Sequence, residues 1–383
     1  MTQPGPHTML AQFNHDEAAR GGFMTTMRQA TVAMSRVGQK TLYEGRVEPA
    51  FRKQQGRTPK NRHEIRKAML RDPLGQMASE LRLLAQEMKF EAVAASVERQ
   101  LPGLVETARQ MRMSNRRRGT LMLDPAMPVP RYVDTVDIHC MPGGYFSERL
   151  DDDVMAGALY DRGFYIRASG MVGPYMDDFG HTTIAYIKAN FPDLKVRRVL
   201  DIGCSMGHST LPFCDAWPKA EIHGIDVAAP MLRYAHARAE SLGKSVHFSQ
   251  QNAERTSFPA GHFDIVIGHA MLHETSTAAT QNILREAHRL LAPGGLCLHF
   301  EAPPWNHMSE FEASVHDWDT HFNAEPFIGK LHDLDPKKLM TDAGFAAAKC
   351  IDTYVPAAGN IQFVGTVGGA MSAGKFWYFG ARR

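Results

Sequence analysis

The chain has 383 residues, more than the roughly 100–200 of a usual single domain, and its 44% hydrophobic and 22% charged side chains exclude fibrous, low-complexity and wholly disordered classes. No apolar run nears the roughly 18–20 residues of a membrane helix, the opening MTQPGPHTML lacks a charged-then-apolar signal pattern, and the five cysteines form no C-x-x-C pair, so a cytoplasmic protein with free thiols is expected. The formal charge of +2 conceals an asymmetry: residues 1–120 carry 21 Lys and Arg against 11 Asp and Glu, and the remainder 22 against 30. Such a split marks either a nucleic-acid face or a seam between two halves of the protein. The basic residues are interspersed with acidic ones, which favours the seam. Arg116, Arg117 and Arg118 stand together in a Ser/Asn/Gly context that reads as a solvated linker.

Asn14 followed by Glu17 is a capping-box start, and Phe23, Met27, Ala30, Met34 and Val37 recur after it at helical spacing. Thr58-Pro59 reads as an N-cap and first-turn proline before Ile65, Met69 and Leu70. Ser79 to Gln100 places Leu84, Met88, Phe90, Val93, Val97 and Leu101 on helical faces, with Pro102-Gly103 as the expected stop. Residues 12–112 therefore read as all-helical, their methionines serving core or dimer packing. From 113 to 145, Pro125, Pro128, Pro130 and Pro142-Gly143-Gly144 break the pattern and predict a connector.

After residue 196 short apolar runs alternate with helical stretches. Strands are predicted at Arg197–Ile202, Glu221–Asp226, Val246–Gln251, Phe263–His269 and Leu296–Glu301, with helices at Met231–Leu242 and Asn282–Leu291. This alternation means a parallel, doubly wound sheet. A helix at Leu334–Ala343 and two further strands, Ala346–Tyr354 and Lys375–Ala381, complete the α/β part.

The first of these strands ends in Asp201-Ile202-Gly203-Cys204-Ser205-Met206-Gly207-His208-Ser209-Thr210. Glycines here let the chain turn sharply and bring backbone N–H groups against a ligand. Asp226 closes the second strand, where a carboxylate can accept hydrogen bonds from both ribose hydroxyls. Asn252-Ala253-Glu254 follows the third strand, Phe263-Asp264-Ile265-Val266 opens the fourth, and Leu291-Ala292-Pro293-Gly294-Gly295 precedes the fifth. An NAD fingerprint would need G-x-G-x-x-G, which Gly203, Ser205, Gly207 and His208 do not supply.

This ordered set resembles the class I S-adenosylmethionine-dependent methyltransferases, in particular the small-molecule branch of ubiquinone/menaquinone type, over about residues 160–350. The resemblance implies S-adenosylmethionine as cofactor, with Asp201, Gly203, Cys204, Ser205 and Gly207 at its methionine moiety. It puts Asp226 and Val227 at the ribose, Asn252, Ala253 and Glu254 beside the adenine, and Tyr165 in a segment that closes over the cofactor. Ser205 stands where a middle glycine is usual, and Asn252 where an aspartate often is.

The segment Gly268 to Glu274 lies at the C-terminal sheet edge, so His269 and His273 are candidate general bases, or, as in related enzymes, packing and cofactor-contact residues. Their i, i+4 spacing joins two imidazoles only on a helix, so no metal site is expected. Beyond the fifth strand, Trp318, Asp319 and Asn323 suit a small polar or cationic acceptor, or else a surface lid.

The expected architecture is a helical region at 1–120 that caps the site or dimerises, a connector at 121–159 and a methyltransferase domain at 160–383. The expected partner is a small-molecule acceptor, without nucleic acid or membrane, in a chain that can pair as a homodimer through its N-terminal helices. Two rivals are an RNA-nucleotide methyltransferase using the basic helices and a non-catalytic S-adenosylmethionine-binding protein. Against the first, no N/D-P-P-Y signature and no basic-aromatic stripe is present.

Overall fold

The structure is a computed structural model that describes residues 4–359, 371–372 and 374–383. Its centre is one mixed sheet built from β1 (Thr120–Met122), β2 (Arg198–Ile202), β3 (Glu221–Asp226), β4 (His247–Gln250), β5 (Phe263–His269), β6 (Leu291–Phe300), β7 (Cys350–Pro356), β8 (Met371–Ser372) and β9 (Lys375–Arg382). The order is β1-β4-β3-β2-β5-β6-β9-β7, with β8 beside β9. Every pair from β1 to β6 is parallel, and the pairs involving β9 are antiparallel. The doubly wound, mostly parallel sheet expected from the alternation is therefore present. Strand order reverses between β2 and β5, which opens a crevice at their C-terminal ends, the ligand position of this architecture.

The strands are apolar on both faces because helices cover both. Val199, Ile265 and Ile267 point into one core cluster, whereas Leu200 and Val266 point into the other. The first cluster also holds Met9 from the turn before the first helix and Phe90, Val93 and Val97 from the long N-terminal helix, so one apolar core runs continuously from this region to the sheet.

The N-terminal helices differ in detail from the pattern reading. The helix His15–Ala33 starts at Asn14 with the expected capping box, but its buried face is Gly21, Met24, Arg28 and Thr31. Phe23 and Val37, placed on the apolar stripe, are 60% and 67% exposed, and Leu84 is 44% exposed. What lies opposite sets the face: Phe13 packs on Gly21, and Arg99 reaches Glu17 at 2.7 Å. Further on, the helix Arg62–Met69 is capped by Asn61 and not by Thr58, because Glu64 binds Arg57 at 2.7 and 2.8 Å and holds residues 57–60 as a loop.

The long helix Pro73–Met113 begins at an Asp72 cap and runs straight through Pro102. An interior proline costs about 3 kcal/mol. Burial of Leu101, Leu104 and Val105, worth about 1.5–3 kcal/mol each, outweighs it.

The charge asymmetry resolves into ion pairs between chain halves. Arg66 meets Asp317 at 2.5 Å, Arg82 meets Asp319 at 2.8 Å and Arg109 meets Asp152 at 2.8 Å. Among the described residues, no helix is long and apolar enough to cross a membrane.

Candidate active site

A cavity of about 1260 Å³, its open mouth included, lies at the crevice between β2 and β5. One wall is the loop after β2, where Gly203, Ser205 and Gly207 all take left-handed φ values of 68°, 51° and 75°. Gly203 has a second constraint, since a Cβ there would sit 2.3 Å from Met271 Cγ. Ser205 adopts at some cost, about 1 kcal/mol, the conformation that a glycine takes freely. The helix beyond begins only at Pro212, so Ser209 and Thr210 lie in turns, not in the helix.

Several buried polar atoms on this wall have no hydrogen-bond partner among the described residues: Asp201 Oδ1, Ser205 Oγ, His208 Nδ1, Ser209 Oγ and His269 Nδ1. Buried polar groups are generally paired, and these five share one cavity wall, where a polar ligand would satisfy them. Asp201 is fixed by Thr210, whose hydroxyl donates to Oδ2 at 2.6 Å. His269 is fixed at Nε2, 2.8 Å from Thr183 Oγ1. Because the Thr183 hydroxyl donates to Phe179 O, it accepts from Nε2–H, and His269 Nδ1 carries the lone pair. Nδ1 and Asp201 Oδ1 lie 3.9 Å apart, two acceptors facing one space. This network ties His269 to the loop wall through Nε2 and sets its Nδ1 beside Asp201.

Asp226 ends β3 with both oxygens aimed by backbone N–H groups, from Ser205 to Oδ2 at 2.9 Å and from Ala228 to Oδ1 at 3.0 Å. Burial raises its carboxyl pKa against the opposing pull of those N–H groups. Val227, Met231, Gln251, Ala253 and Ile283 continue this side. Asn252 and Glu254 do not line the cavity. Asn252 Oδ1 accepts from the Glu254 N–H at 2.9 Å, closing a local turn, while Glu254 accepts from Tyr132 at 3.1 Å and Asn282 at 2.8 Å. Glu254 thereby aims Tyr132 into the cavity. Gly207 likewise shapes the loop from behind, against Phe248. Cys204 lines the wall as a thiol, since burial pushes its pKa well up.

The opposite wall comes from a region read only as a connector. Tyr132, Val133, Ile138, His139 and Tyr145 line it, backed by Tyr160, Phe164 and Arg167 of the helix Met155–Arg167. Tyr165 of that helix is not on the cavity: Tyr160 and Phe164 present the rings, stacked at 5.5 Å. A helix turns about 100° per residue, so neighbours in sequence face different ways.

On the floor, His273 Nδ1 lies 2.7 Å from Glu301 Oε2, and Glu301 Oε1 accepts the N–H groups of Met271 at 2.7 Å and Leu272 at 2.5 Å. Burial disfavours the imidazolium, but the Glu301 carboxylate overrides it and holds His273 up to about 9. In this arrangement His273 donates hydrogen bonds at neutral pH, and a general-base role for it belongs to alkaline pH. His139, by contrast, is pushed down to about 3 by burial and by nearby Arg167.

Trp318, Asp319 and Asn323 lie outside the cavity. Trp318 Nε1 donates to Ser79 Oγ at 2.6 Å with the Arg82 guanidinium 3.9 Å from its ring, and Asp319 pairs with the same Arg82. Asn323 stands behind His139, its Nδ2 3.3 Å from Nδ1. Trp318 and Asp319 thus spend their chemistry on docking the helix Glu310–Phe322 against the long N-terminal helix, a pairing that no local pattern announces.

A parallel doubly wound sheet, a left-handed loop after its first central strand and an oriented acid at the end of the next define a nucleotide-type binding domain of Rossmann-like class. Residues 199–295 match the family described as methyltransferase domain. A 108-residue stretch is 36% identical to the demethylmenaquinone methyltransferase of Thermus thermophilus, covering 28% of this chain and 48% of that one. A 174-residue stretch is 32% identical to the ubiquinone/menaquinone biosynthesis C-methyltransferase of Pseudomonas syringae pv. tomato, covering 39% and 64%. Each match thus spans less than two thirds of the relative's length. An O-methyltransferase family protein from Burkholderia thailandensis aligns in structure at TM-score 0.41 and 17% identity, over 60% of each chain. Over residues 199–295 the chain is thus similar to a methyltransferase domain, the domain type of these relatives.

Proposed function

We propose that the protein transfers a methyl group from S-adenosylmethionine to a small-molecule acceptor held between the turn after β5 and the wall formed by residues 131–145. The observation that carries this reading is the set of polar atoms on the loop wall with no partner among the described residues, facing a separate polar floor across the same cavity. The cofactor fits that wall. Asp201 Oδ1 and His269 Nδ1 suit its ammonium, the aimed Asp226 carboxylate suits its ribose hydroxyls, and Ala253, Gln251 and Tyr132 flank the place for its base. When bound, S-adenosylmethionine supplies a methyl group carried on a sulfonium sulfur.

The chain's own part is alignment and desolvation. Tyr145, Tyr160, Phe164 and Phe179 exclude water, and His273, protonated at neutral pH, donates to an acceptor that is already anionic. The N-terminal helices cap the site: the long helix holds the His139 turn through Gln86 Nε2, which donates to His139 O at 2.9 Å. An enclosed aromatic wall and internally paired arginines favour a small acceptor over RNA. The test is incubation of the pure protein with methyl-labelled S-adenosylmethionine and either a metabolite extract or total RNA. Label in a small molecule is expected. Label in RNA supports the rival, and cofactor binding with no labelled product in either arm refutes the enzymatic reading.

A further inference from the structure

Three potential metal ligands converge on the cavity floor from two parts of the chain 134 residues apart. His139 lies on the turn Ile138–Cys140, while His273 and Glu274 lie on the turn Leu272–Glu274 after β5. One ligand atom from each lies within 4.8 Å of the other two. His139 Nε2 is 3.2 Å from Glu274 Oε1. We propose that His139, His273 and Glu274 form a binding site for a divalent transition metal of the Zn²⁺ or Fe²⁺ class, open towards the acceptor side of the cavity.

The surroundings of the three residues carry the argument as much as their proximity. Metal-bound histidines characteristically donate their second ring N–H to a carboxylate, which fixes ring orientation and tautomer. Here each ring has a buried carboxylate at Nδ1: His139 Nδ1 lies 2.5 Å from Glu325 Oε1, with Arg167 Nη1 at 3.2 Å and Asn323 Nδ2 at 3.3 Å from the same nitrogen, and His273 Nδ1 lies 2.7 Å from Glu301 Oε2. Glu325 and Glu301 are 1% and 0% exposed, so neither is a surface ion pair formed by chance. The third ligand has its own orienting partner, Tyr145, whose hydroxyl donates to Glu274 Oε1 at 3.0 Å. Nε2 is thus the free nitrogen of His273, and all three ligand positions are held from outside.

His139 and Cys140 hold left-handed φ values of 59° and 56°, a strained turn of the kind that persists where a side chain must be aimed. Two imidazoles and one carboxylate with an open coordination position are the ligand set of catalytic zinc and non-haem iron sites. Binding the cation displaces the proton from His273 Nε2, so in the loaded site the cation takes the place of that N–H towards the acceptor. The open position would take an ionised oxygen, nitrogen or sulfur of the acceptor. That role rests on the methyl-transfer reading, whereas metal binding itself does not.

The test uses the full chain, stripped with a chelator and titrated with Co²⁺, whose visible absorption reports its ligands, and then with Zn²⁺ in competition. One Co²⁺ per chain, displaced by one Zn²⁺, is expected. His273→Ala and the near-isosteric Glu274→Gln should each weaken binding at least about 100-fold. Glu301→Gln and Glu325→Gln should weaken it about 10–100-fold, the loss typical of an outer partner. No stoichiometric binding by the folded native chain, or equal affinity in the native and ligand variants, overturns the proposal. Calorimetry with S-adenosylhomocysteine on the same samples separates the two readings. Cofactor binding without Co²⁺ binding sinks the metal site alone, and Co²⁺ binding without cofactor binding leaves the metal site standing while the methyl-transfer reading falls.

Discussion

Asp201→Asn should weaken binding of the amino-acid portion of the cofactor and leave binding of its nucleoside portion nearly unchanged. Asp201 is 1% exposed, its Oδ2 is committed to Thr210, and its Oδ1 faces the cavity beside His269 Nδ1 with no hydrogen-bond partner among the described residues. An ammonium about 4 Å away gains about 4 kcal/mol of gross Coulomb energy at an effective dielectric of about 20. Desolvation of both ions reduces the net value to the about 1.5–3 kcal/mol measured for hydrogen bonds to charged groups. At about 1.4 kcal/mol per tenfold, the loss is about 10–150-fold. Asparagine keeps the shape and can still bond Thr210, so folding is spared. The assay is calorimetric titration with two ligands: S-adenosylhomocysteine, which has the ammonium, and 5′-methylthioadenosine, which has the same base and ribose without it. The first should lose about 10–150-fold and the second less than about threefold. As a complement, Asp226→Ala should weaken both by a similar factor. Equal loss of both ligands in Asp201→Asn, or loss of neither, refutes the assignment of Oδ1 to the ammonium.

Ser205→Gly relieves the left-handed strain at φ 51° and should raise stability by about 1 kcal/mol in denaturant titration; a loss of stability would show that the Ser205 hydroxyl matters more than its backbone. Asp161 is buried, and although burial raises its pKa, His7 at 3.0 Å and the Arg238 charge win and hold it at about 2. Its folded value lies below its unfolded one, so it contributes about 2 kcal/mol above pH 4 that disappears as pH falls towards 2. Urea melts of Asp161→Asn against native should show that gap at pH 7 and its narrowing below pH 4; a gap independent of pH contradicts the linkage. Asp319→Ala leaves the buried Arg82 unpaired and should cost about 3–5 kcal/mol, while the double change Arg82→Met, Asp319→Leu recovers most of it with cofactor affinity intact. A loss of cofactor affinity in that folded double variant would put Asp319 back in the site.

Sequence alone determined the features that depend on local backbone chemistry. Strand and helix alternation follows from apolar period, so the parallel sheet and the crevice after Ile202 were legible. The loop positions Gly203, Ser205 and Gly207 were legible too, because left-handed residues restrict which side chains fit, and Asp201 and Asp226 follow from their place at strand ends. Other features depend on which distant surface a side chain meets, and only the tertiary structure decided those. Trp318 and Asp319 have the composition of an acceptor pocket but face Ser79 and Arg82 instead. Pro102 has the local signature of a helix stop, yet packing of Leu101, Leu104 and Val105 carries the helix through it. The proline-broken connector lacks any periodic signal, so nothing in it foretold that Tyr132, His139 and Tyr145 would form the far wall. His273 was visible as a histidine near the sheet edge. Its partner Glu301, 28 residues on, sets its charge, and partners at that separation are chosen by the fold, because Coulomb and hydrogen-bond energies act through space and not along the chain.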